Sequence, residues 1–336
     1  MTDEIVWRPD AAAIERSRLL AFCRAAGVVD PDALQQRAAE DPGWYWDQAV
    51  RHLGYRFSTP YSSPLDLSGG KPWPRWFVDG GFNWVDNALD RWIDAGHGSR
   101  TALIWEGDDG ATRTLTWNDL AAETSRFAAA LHGLGVRKGD RVGVFLPMLA
   151  ETAIAMLAIG RLGAIFLPMF SGFGAEAIAS RLRDGEATML ICADGARRRG
   201  QIIPMKQTAD EAAALAPSIE KLVVLRHTGA EIPWREGRDI WWHDAVAAAP
   251  PGFTPEPTAA DDPYMVIYTS GTTGKPKGAL HVQSGFPIKA AHDLAMCFDL
   301  GPGDTLFWLT DLGWMMGPWL IGGGLMNGAA IVLFEG

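Results

Sequence analysis

The sequence predicts an α/β protein whose central sheet is mostly parallel and covered by helices. Apolar runs with the length of strands alternate with helix-like runs between residues 141 and 225, an order typical of βα units. Apolar residues make up 48% of the 336 residues and charged residues 21%, as in ordinary globular domains. No internal repeat or low-complexity tract interrupts the pattern, so neither a fibre nor a disordered chain is indicated.

Residues 1–95 are predicted to form a helical, tryptophan-rich N-terminal extension. Ala11 to Ala26 has the apolar spacing of an amphipathic helix. Residues 58–81 contain four prolines among several glycines and serines, which favours a long ordered loop. We therefore place the boundary of the extension near residue 95, and a larger unit follows from residue 96 to residue 336.

The larger unit is predicted to open with a hairpin and a capped helix. Thr101–Glu106 and Arg113–Thr116 are short strands around the turn Asp108-Asp109-Gly110. Thr116 has the position of a helix N-cap, with Asp119 three residues later as in a capping box. The apolar face of that helix consists of Leu120, Thr124, Phe127, Leu131 and Leu134. The segments that follow are strand Arg141–Leu146, helix Glu151–Leu162, strand Ala164–Met169, helix Ala175–Arg183, strand Thr188–Ala193, helix Ala209–Leu215 and strand Lys221–Leu225.

Charge and cysteine content argue against several classes of protein. Lys and Arg number 30 against 40 Asp and Glu, a net charge of −10, so a nucleic-acid partner is not expected. Cys23, Cys192 and Cys297 are far apart and odd in number, which indicates a reducing compartment, the cytoplasm, without a disulfide framework. The acidic N-terminus lacks the apolar core of a signal peptide.

One uncharged stretch, from Trp314 to Phe334, is long enough to span a bilayer. It contains Pro318, Asn327 and five glycines, and it ends in a run of strand-forming residues. We therefore expect a buried helix, a glycine turn and a buried strand here, and no membrane partner.

The segment from Tyr268 to Gly278, YTSGTTGKPKG, indicates the chemistry of the protein. A hydrophobic strand runs into a loop of hydroxyls, glycines and lysines. Glycines let backbone amides approach a polyphosphate, hydroxyls bind its oxygens or Mg²⁺, and lysines offset its charge. The segment is not a Walker A motif, because only two residues separate Gly271 from Gly274 and Pro276 follows Lys275.

This segment resembles the phosphate-loop signature of the adenylate-forming superfamily, and the closest resemblance is to acetyl-CoA and acetoacetyl-CoA synthetases. Residues 43–95, Arg141–Arg183 and Asp311–Gly336 also resemble those enzymes. The resemblance implies the N-terminal portion of an AMP-binding domain behind a helical extension, with the C-terminal domain absent. If the polypeptide ends at Gly336, we expect no adenylation activity from it alone. The oligomeric state is not predicted.

The implied reaction is the ATP-dependent, AMP-forming ligation of a short-chain carboxylic acid to coenzyme A. Acetate, propionate and acetoacetate all stay open as the acid, and ATP, Mg²⁺ and coenzyme A are the implied cofactors. In this family the loop holds the β- and γ-phosphates of ATP. Its counterparts here are Thr269, Ser270, Gly271, Thr272, Thr273, Gly274 and Lys275, with Thr269 and Lys275 as the catalytic candidates.

The resemblance also implies residues for the acyl group and for coenzyme A. Trp314 matches a tryptophan near the acyl pocket of acetyl-CoA synthetases, and Met315 and Met316 follow it; plain core packing is the alternative for all three. Arg198 and Gly172 match positions near coenzyme A, although the second arginine of the family pattern is replaced by Gln201. A solvated basic turn is the alternative for Arg198 and its neighbours.

Two other functions stay open. Gly172 to Ala177 fits Gly-x-Gly-x-x-Ala between a strand and a helix, and Asp194 lies 20 residues after Gly174. Together these are elements of a dinucleotide-binding fingerprint, as in NAD-dependent oxidoreductases. The other alternative is a non-catalytic nucleotide-binding fragment.

Overall fold

The N-terminal extension is mainly helical. The structure, a computed structural model, describes residues 6–269 and 276–336. The first elements along the chain are α1 (Ala11–Arg16), α2 (Arg18–Ala25), α3 (Pro31–Glu40) and α4 (Pro42–His52). At the start of each helix an Asp or Ser side chain accepts a backbone N–H group of the first turn. Such caps satisfy donors that the helix itself leaves unpaired.

The single helix expected from Ala11 to Ala26 is wrong in one respect, because the chain breaks at Ser17. The backbone of Ser17 is extended, with ψ of 139°. Its hydroxyl donates to the carbonyl of Ile14 and accepts the N–H group of Leu20. The serine therefore ends one helix and starts the next, which apolar spacing alone does not reveal.

The long loop expected over residues 58–81 contains a hairpin instead. Strand β1 (Ser63–Asp66) pairs antiparallel with β2 (Arg75–Val78). The strands are short, and Pro64 lies inside the first of them. A two-stranded ribbon at the edge of a domain tolerates such a proline, so composition alone favoured a loop.

The opening of the larger unit agrees with the sequence pattern. After two wide-turn helical segments, Asp86–Asp90 and Ile93–His97, come β3 (Thr101–Glu106), β4 (Thr112–Thr116) and α5 (Trp117–Gly133). Strands β3 and β4 pair antiparallel. The capping box of Thr116 and Asp119 is present in both directions, so this prediction is confirmed.

A large sheet forms the centre of the described chain and confirms the α/β fold class. Its strands lie in the order β11-β10-β7-β5-β6-β12-β13, and every neighbouring pair is parallel except β12 with β13. The bounds are β5 (Arg141–Phe145), α6 (Ala150–Arg161), β6 (Ile165–Pro168), α7 (Ala175–Asp184), β7 (Met189–Ala193), β8 (Ala196–Arg198), β9 (Gln201–Ile203), α8 (Met205–Leu215), β10 (Lys221–Leu225), β11 (Asp239–Trp241), α9 (Trp242–Ala248), β12 (Pro263–Thr269), β13 (Lys277–Val282) and α10 (Phe286–Cys297).

The helix expected from Ala209 begins four residues earlier, at Met205. Met205 and Lys206 are both fully buried. A buried lysine breaks the apolar pattern from which the helix start was predicted, and two of its partners, Pro233 and Asp239, are 27 and 33 residues away in sequence.

The stretch from Trp314 to Phe334 ends in a strand of a second sheet. Strand β14 (Thr305–Phe307) is followed by α11 (Met316–Pro318), a wide-turn helical segment (Trp319–Gly323), α12 (Gly324–Met326) and β15 (Ala330–Phe334). The strand order is β14-β15-β3-β4. Gly328 makes the turn before β15 with φ of +73°, a conformation that favours glycine. The predicted order of helix, turn and strand is confirmed.

Membrane spans were sought among the helices of residues 6–269 and 276–336. None of these helices has the length and apolar character that crossing a bilayer requires.

The extension packs on the larger unit through a small apolar cluster. Phe22 and Cys23 of α2 and Ala49 of α4 pack with Ala295 and Met296 of α10. Tyr45 and His292 join the same helices by a hydrogen bond of 2.8 Å between the phenol oxygen and Nε2. Burial of these groups ties α2 and α4 to α10.

The three cysteines should differ sharply in reactivity. Cys23 and Cys192 are buried and Cys297 is exposed, and burial raises the pKa of Cys192 to about 12. Since the thiolate is the reactive form and needs access to the reagent, we expect one fast thiol with Ellman's reagent under native conditions and three after denaturation. Fast reaction of all three thiols in the folded protein would contradict this placement.

Candidate active site

A cavity of about 1050 Å³ opens where strands of both sheets end. Its wall includes the segments that follow the carboxyl ends of β5, β6, β7 and β14, together with the last residues of β12 and β15. In parallel α/β sheets ligands bind at this edge, because the connecting loops there converge. The cavity is therefore the candidate active site.

The cavity brings together the predicted site residues that the structure describes. These are Gly172, Arg198, Thr269, Trp314, Met315 and Met316. The other predicted loop residues, Ser270, Gly271, Thr272, Thr273, Gly274 and Lys275, lie outside the described part of the chain. Residues as far apart in sequence as Gly172 and Met316, which are 144 positions from each other, thus face one space.

The phosphate-loop motif connects the two strands at the edge of the large sheet. The last pair of the antiparallel ladder is Thr269 with Lys277, so the motif begins at the rim of the cavity. Tyr268, one residue earlier, donates its hydroxyl hydrogen bond to Asp184 of α7 at 2.7 Å. Burial and this hydrogen bond raise the pKa of Tyr268. The strand that enters the motif is therefore fixed to α7.

Arg181 is a residue of the cavity wall that the sequence did not reveal. Its side chain is 8% exposed, and its guanidinium lies 4.2 Å from the ring centre of Phe173 and 5.6 Å from that of Tyr268. Burial lowers the pKa of Arg181. From sequence, an arginine on an amphipathic helix is normally placed on the face exposed to solvent. Only the folded structure shows that Arg181 lines the cavity.

Two of the three acyl candidates, Trp314 and Met315, are exposed where they line the cavity, whereas Met316 is partly buried and packs against the core. Trp314 is 60% exposed and Met315 is 48% exposed. The ring of Trp314 lies 5.8 Å from that of Phe170. Large apolar side chains exposed to a cavity offer a binding surface for an apolar group, which core packing would not leave open.

Asp311 joins two loops of the cavity, although sequence analysis gave it no role. Its carboxylate accepts the backbone N–H group of Ser171 at 3.2 Å and that of Gly313 at 2.8 Å. Burial raises the pKa of Asp311, while the hydrogen bonds from Ser171 and Gly313 and the charge of Arg198 oppose that rise. The loop after β6 and the loop after β14 therefore share one carboxylate.

Arg198 lies on a small hairpin, for which a solvated basic turn was the alternative to a coenzyme A site. Strands β8 and β9 pair antiparallel, with Arg198 opposite Gln201. Glu335, buried at the end of β15, accepts the backbone N–H group of Arg197 at 2.8 Å and contacts Nε2 of His227 at 2.8 Å. The hairpin is thereby held against the second sheet, and Arg198 lines the cavity.

The structure argues against Asp194 as the ribose-binding acidic residue of a dinucleotide-binding site. Asp194 is 1% exposed, and its carboxylate accepts four backbone N–H groups, those of Gly195, His227, Thr228 and Gly229. A carboxylate held in this way fixes a loop and does not face a ribose. The glycine pattern at residues 172–174 belongs to the wall of the cavity instead.

A metal centre built by the protein alone is not found among the described residues. Within residues 6–269 and 276–336, no group of three or more His, Cys, Asp and Glu side chains is arranged to hold a metal ion.

Comparisons with known proteins agree with this architecture. The family model for AMP-binding enzymes matches residues 89–336, and the model for the acetyl-coenzyme A synthetase N-terminus matches residues 32–88. An acetyl-coenzyme A synthetase of Mycobacterium tuberculosis is 45% identical over 308 residues, which are 90% of this chain and 47% of that protein. One of Streptomyces avermitilis is 42% identical over 310 residues, 92% of this chain and 47% of that protein.

A solved structure shows the same fold. The acetoacetyl-CoA synthetase from Streptomyces lividans superimposes with a TM-score of 0.91 and 30% sequence identity, covering 99% of this chain and 51% of its own. The chain thus spans about half the length of the relatives it matches. Because the family model covers most of the chain and the cavity lies within it, the chain belongs to the AMP-binding enzyme family.

Proposed function

We propose that this chain carries the phosphate loop and the acyl- and coenzyme A-facing walls of an AMP-forming acyl-CoA ligase. One observation carries the proposal. The phosphate-loop motif starts with Tyr268 and Thr269 on the rim of the same cavity that Arg198, Gly172 and Trp314 line. A nucleotide, an acyl group and coenzyme A would meet in such a space, as the two-step reaction requires.

In the first step a carboxylate oxygen of the acid attacks the α-phosphorus of ATP. The bond from that phosphorus to the bridging oxygen of pyrophosphate breaks, and pyrophosphate leaves with the electron pair. In the second step the sulfur of coenzyme A attacks the acyl carbon, AMP leaves with the former carboxylate oxygen, and the thiol proton is released. The protein contributes chiefly by positioning and by stabilising charge.

The loop residues Thr269 to Lys275 are assigned to the β- and γ-phosphates. Hydroxyls and backbone amides would donate to phosphate oxygens, and Lys275 would offset the charge of the departing pyrophosphate. Mg²⁺ fits this arrangement as an ion that arrives with ATP, because magnesium keeps phosphate and water ligands and needs few protein groups. A loop hydroxyl such as that of Thr269 would hold it, and the ion would supply charge neutralisation.

Arg198 is assigned to a phosphate of coenzyme A. Replacing Arg198 with alanine should weaken the binding of coenzyme A about tenfold, the loss expected for one charge-assisted hydrogen bond. Titration calorimetry measures it, and Arg183→Ala, an exposed arginine of α7 paired with Glu176, is the matched control. Equal affinity in the Arg198 variant and the wild type would remove this residue from the site.

Trp314, Met315 and Met316 are assigned to the acyl group, and we propose acetate, propionate or acetoacetate as the acid. The relatives support acetate and acetoacetate, since their names include both acetyl- and acetoacetyl-CoA synthetases. We place the reaction in the cytoplasm, where ATP and coenzyme A are available. We also keep residues 1–95 and 96–336 as the two proposed units of the chain.

The test measures the exchange of labelled pyrophosphate into ATP that depends on an added carboxylic acid. It is run with acetate, propionate and acetoacetate in turn, and it uses the polypeptide as its gene encodes it. Exchange with at least one acid is expected, and the order of rates identifies the acyl group. Binding of Mg·ATP without exchange would favour a non-catalytic nucleotide-binding protein. Absence of both would refute the proposal.

A further inference from the structure

We infer that Asp311 is a positioning residue that holds the coenzyme A-facing loop, residues 170–173, against the acyl-facing loop, residues 313–316. The inference rests on the proposed function for the names of the two loops. Its geometric part, one carboxylate that fixes both loops, stands on the contacts alone.

The two loops come from distant parts of the chain and are joined at one carboxylate. Oδ1 of Asp311 lies 3.3 Å from the backbone nitrogen of Ser171 and 2.8 Å from that of Gly313, and Oδ2 lies 3.2 Å from the Ser171 nitrogen. Ser171 is 140 residues away from Asp311. Because Asp311 is 9% exposed, water competes little for these bonds.

The loops also touch each other directly beside this carboxylate. A side chain added at Gly313 would place its Cβ 2.2 Å from the backbone nitrogen of Phe170. The rings of Phe170 and Trp314 lie next to each other across the same junction. A change in the bonds of Asp311 therefore displaces the acyl-facing tryptophan and the glycine loop together.

Charge adds a third element to the junction. The positive charge of Arg198 acts on Asp311, and both residues line the cavity. The carboxylate thus feels the charge of the arginine assigned to coenzyme A while its oxygens hold the two loops. Transfer of the acyl group requires the coenzyme A-facing loop and the acyl-facing loop to be correctly placed relative to each other. Formation of the adenylate requires only the acyl-facing loop.

Two variants separate hydrogen bonding from charge. Asp311→Ala removes every acceptor, whereas Asp311→Asn keeps Oδ1, the atom that reaches both backbone nitrogens. Asp304→Ala is the matched control, because the Asp304 carboxylate accepts the nearby backbone N–H group of Gly301 and Asp304 does not line the cavity.

Hydrogen exchange of the folded chain tests the geometric part without any activity. In Asp311→Ala the amides of Ser171 and Gly313 should exchange about tenfold faster or more, since a bond to a carboxylate is lost at each. Asp311→Asn should restore most of the protection, and Asp304→Ala should leave both amides unchanged. Unchanged exchange at either amide in Asp311→Ala would overturn the inference.

Kinetics test the functional part. Thioester formation should fall at least tenfold more than pyrophosphate exchange in Asp311→Ala, with partial rescue in Asp311→Asn. An equal fall in both half-reactions would show a general loss of structure and would overturn the positioning role. A wild-type protein without exchange would refute the proposed function and leave the hydrogen-exchange result to decide the geometry.

Discussion

Replacing Lys206 with methionine is expected to lower the free energy of unfolding by about 3–5 kcal/mol, the cost of breaking a buried ion pair from one side. The Lys206 ammonium is fully buried. It donates to Asp210 at 2.7 Å, to Asp239 at 2.9 Å and to the carbonyl of Pro233 at 3.1 Å. Methionine matches the volume of lysine but removes its charge. Among the described residues, Arg238 then remains as the cation that pairs with the carboxylates of Asp210 and Asp239.

The matched control is Lys289→Met. Lys289 also pairs with an aspartate four residues later, Asp293, but both side chains are partly exposed to solvent. An exposed pair of this kind contributes about 0.3–0.5 kcal/mol. Urea unfolding followed by tryptophan fluorescence measures both variants. Similar losses for the two lysines would contradict the assignment of a buried ion cluster.

The effect of Lys206→Met should also depend on pH. Burial favours the protonated form of Asp239, but hydrogen bonds from Arg238 and Lys206 outweigh it and hold the pKa below the ordinary value of 3.8. A depressed carboxyl pKa stabilises the fold above the unfolded-state value, and that contribution is lost as the pH falls through the folded-state value. The difference between wild type and variant should therefore shrink in acid.

Replacing Gly313 with alanine is expected to reduce acyl-CoA formation by about 100-fold or more. The added Cβ would lie 2.2 Å from the backbone nitrogen and 2.4 Å from the Cα of Phe170. These are backbone atoms, so the two loops must separate to relieve the overlap. A displacement of about 1 Å at reacting groups costs roughly two orders of magnitude in rate. Steady-state kinetics of thioester formation measures the loss.

Gly133→Ala is the control for that variant. Gly133 is the last residue of α5, and nothing lies within 4 Å of an added Cβ. Alanine is favoured over glycine in helices by about 1 kcal/mol, so this variant should keep full activity and the same or slightly higher stability. Full activity of Gly313→Ala would show that the loops are free to move apart, against the account of the cavity.

The βα alternation of the large sheet was predictable because it depends on local patterns. The strand from Lys221 to Leu225 agrees residue for residue with the structure, and the capping box at Thr116 was read from the spacing of three residues to Asp119. Each of these two signals is contained within a few consecutive residues. The break at Ser17 was missed because a serine side chain, and not an apolar pattern, decides it.

The site was predictable only where a motif named its residues. Thr269, Trp314 and Arg198 were found by resemblance, and the structure places all three on one cavity. Asp311 and Arg181 gave no local signal of a site, because their contacts with Ser171 and with the ring of Tyr268 join residues 140 and 87 positions apart in sequence. Such contacts depend on how the strands are ordered in the sheet, which the sequence of one loop does not encode.

The most direct test of the central claim follows the oxygen atoms of the acid. The acid is labelled with ¹⁸O at both carboxylate oxygens and incubated with ATP, Mg²⁺, coenzyme A and the polypeptide as its gene encodes it. Attack at the α-phosphorus predicts one ¹⁸O in AMP and none in pyrophosphate, because AMP leaves with a former carboxylate oxygen. Label in inorganic phosphate, or AMP without label, would contradict an acyl-adenylate and with it the assignment of the cavity.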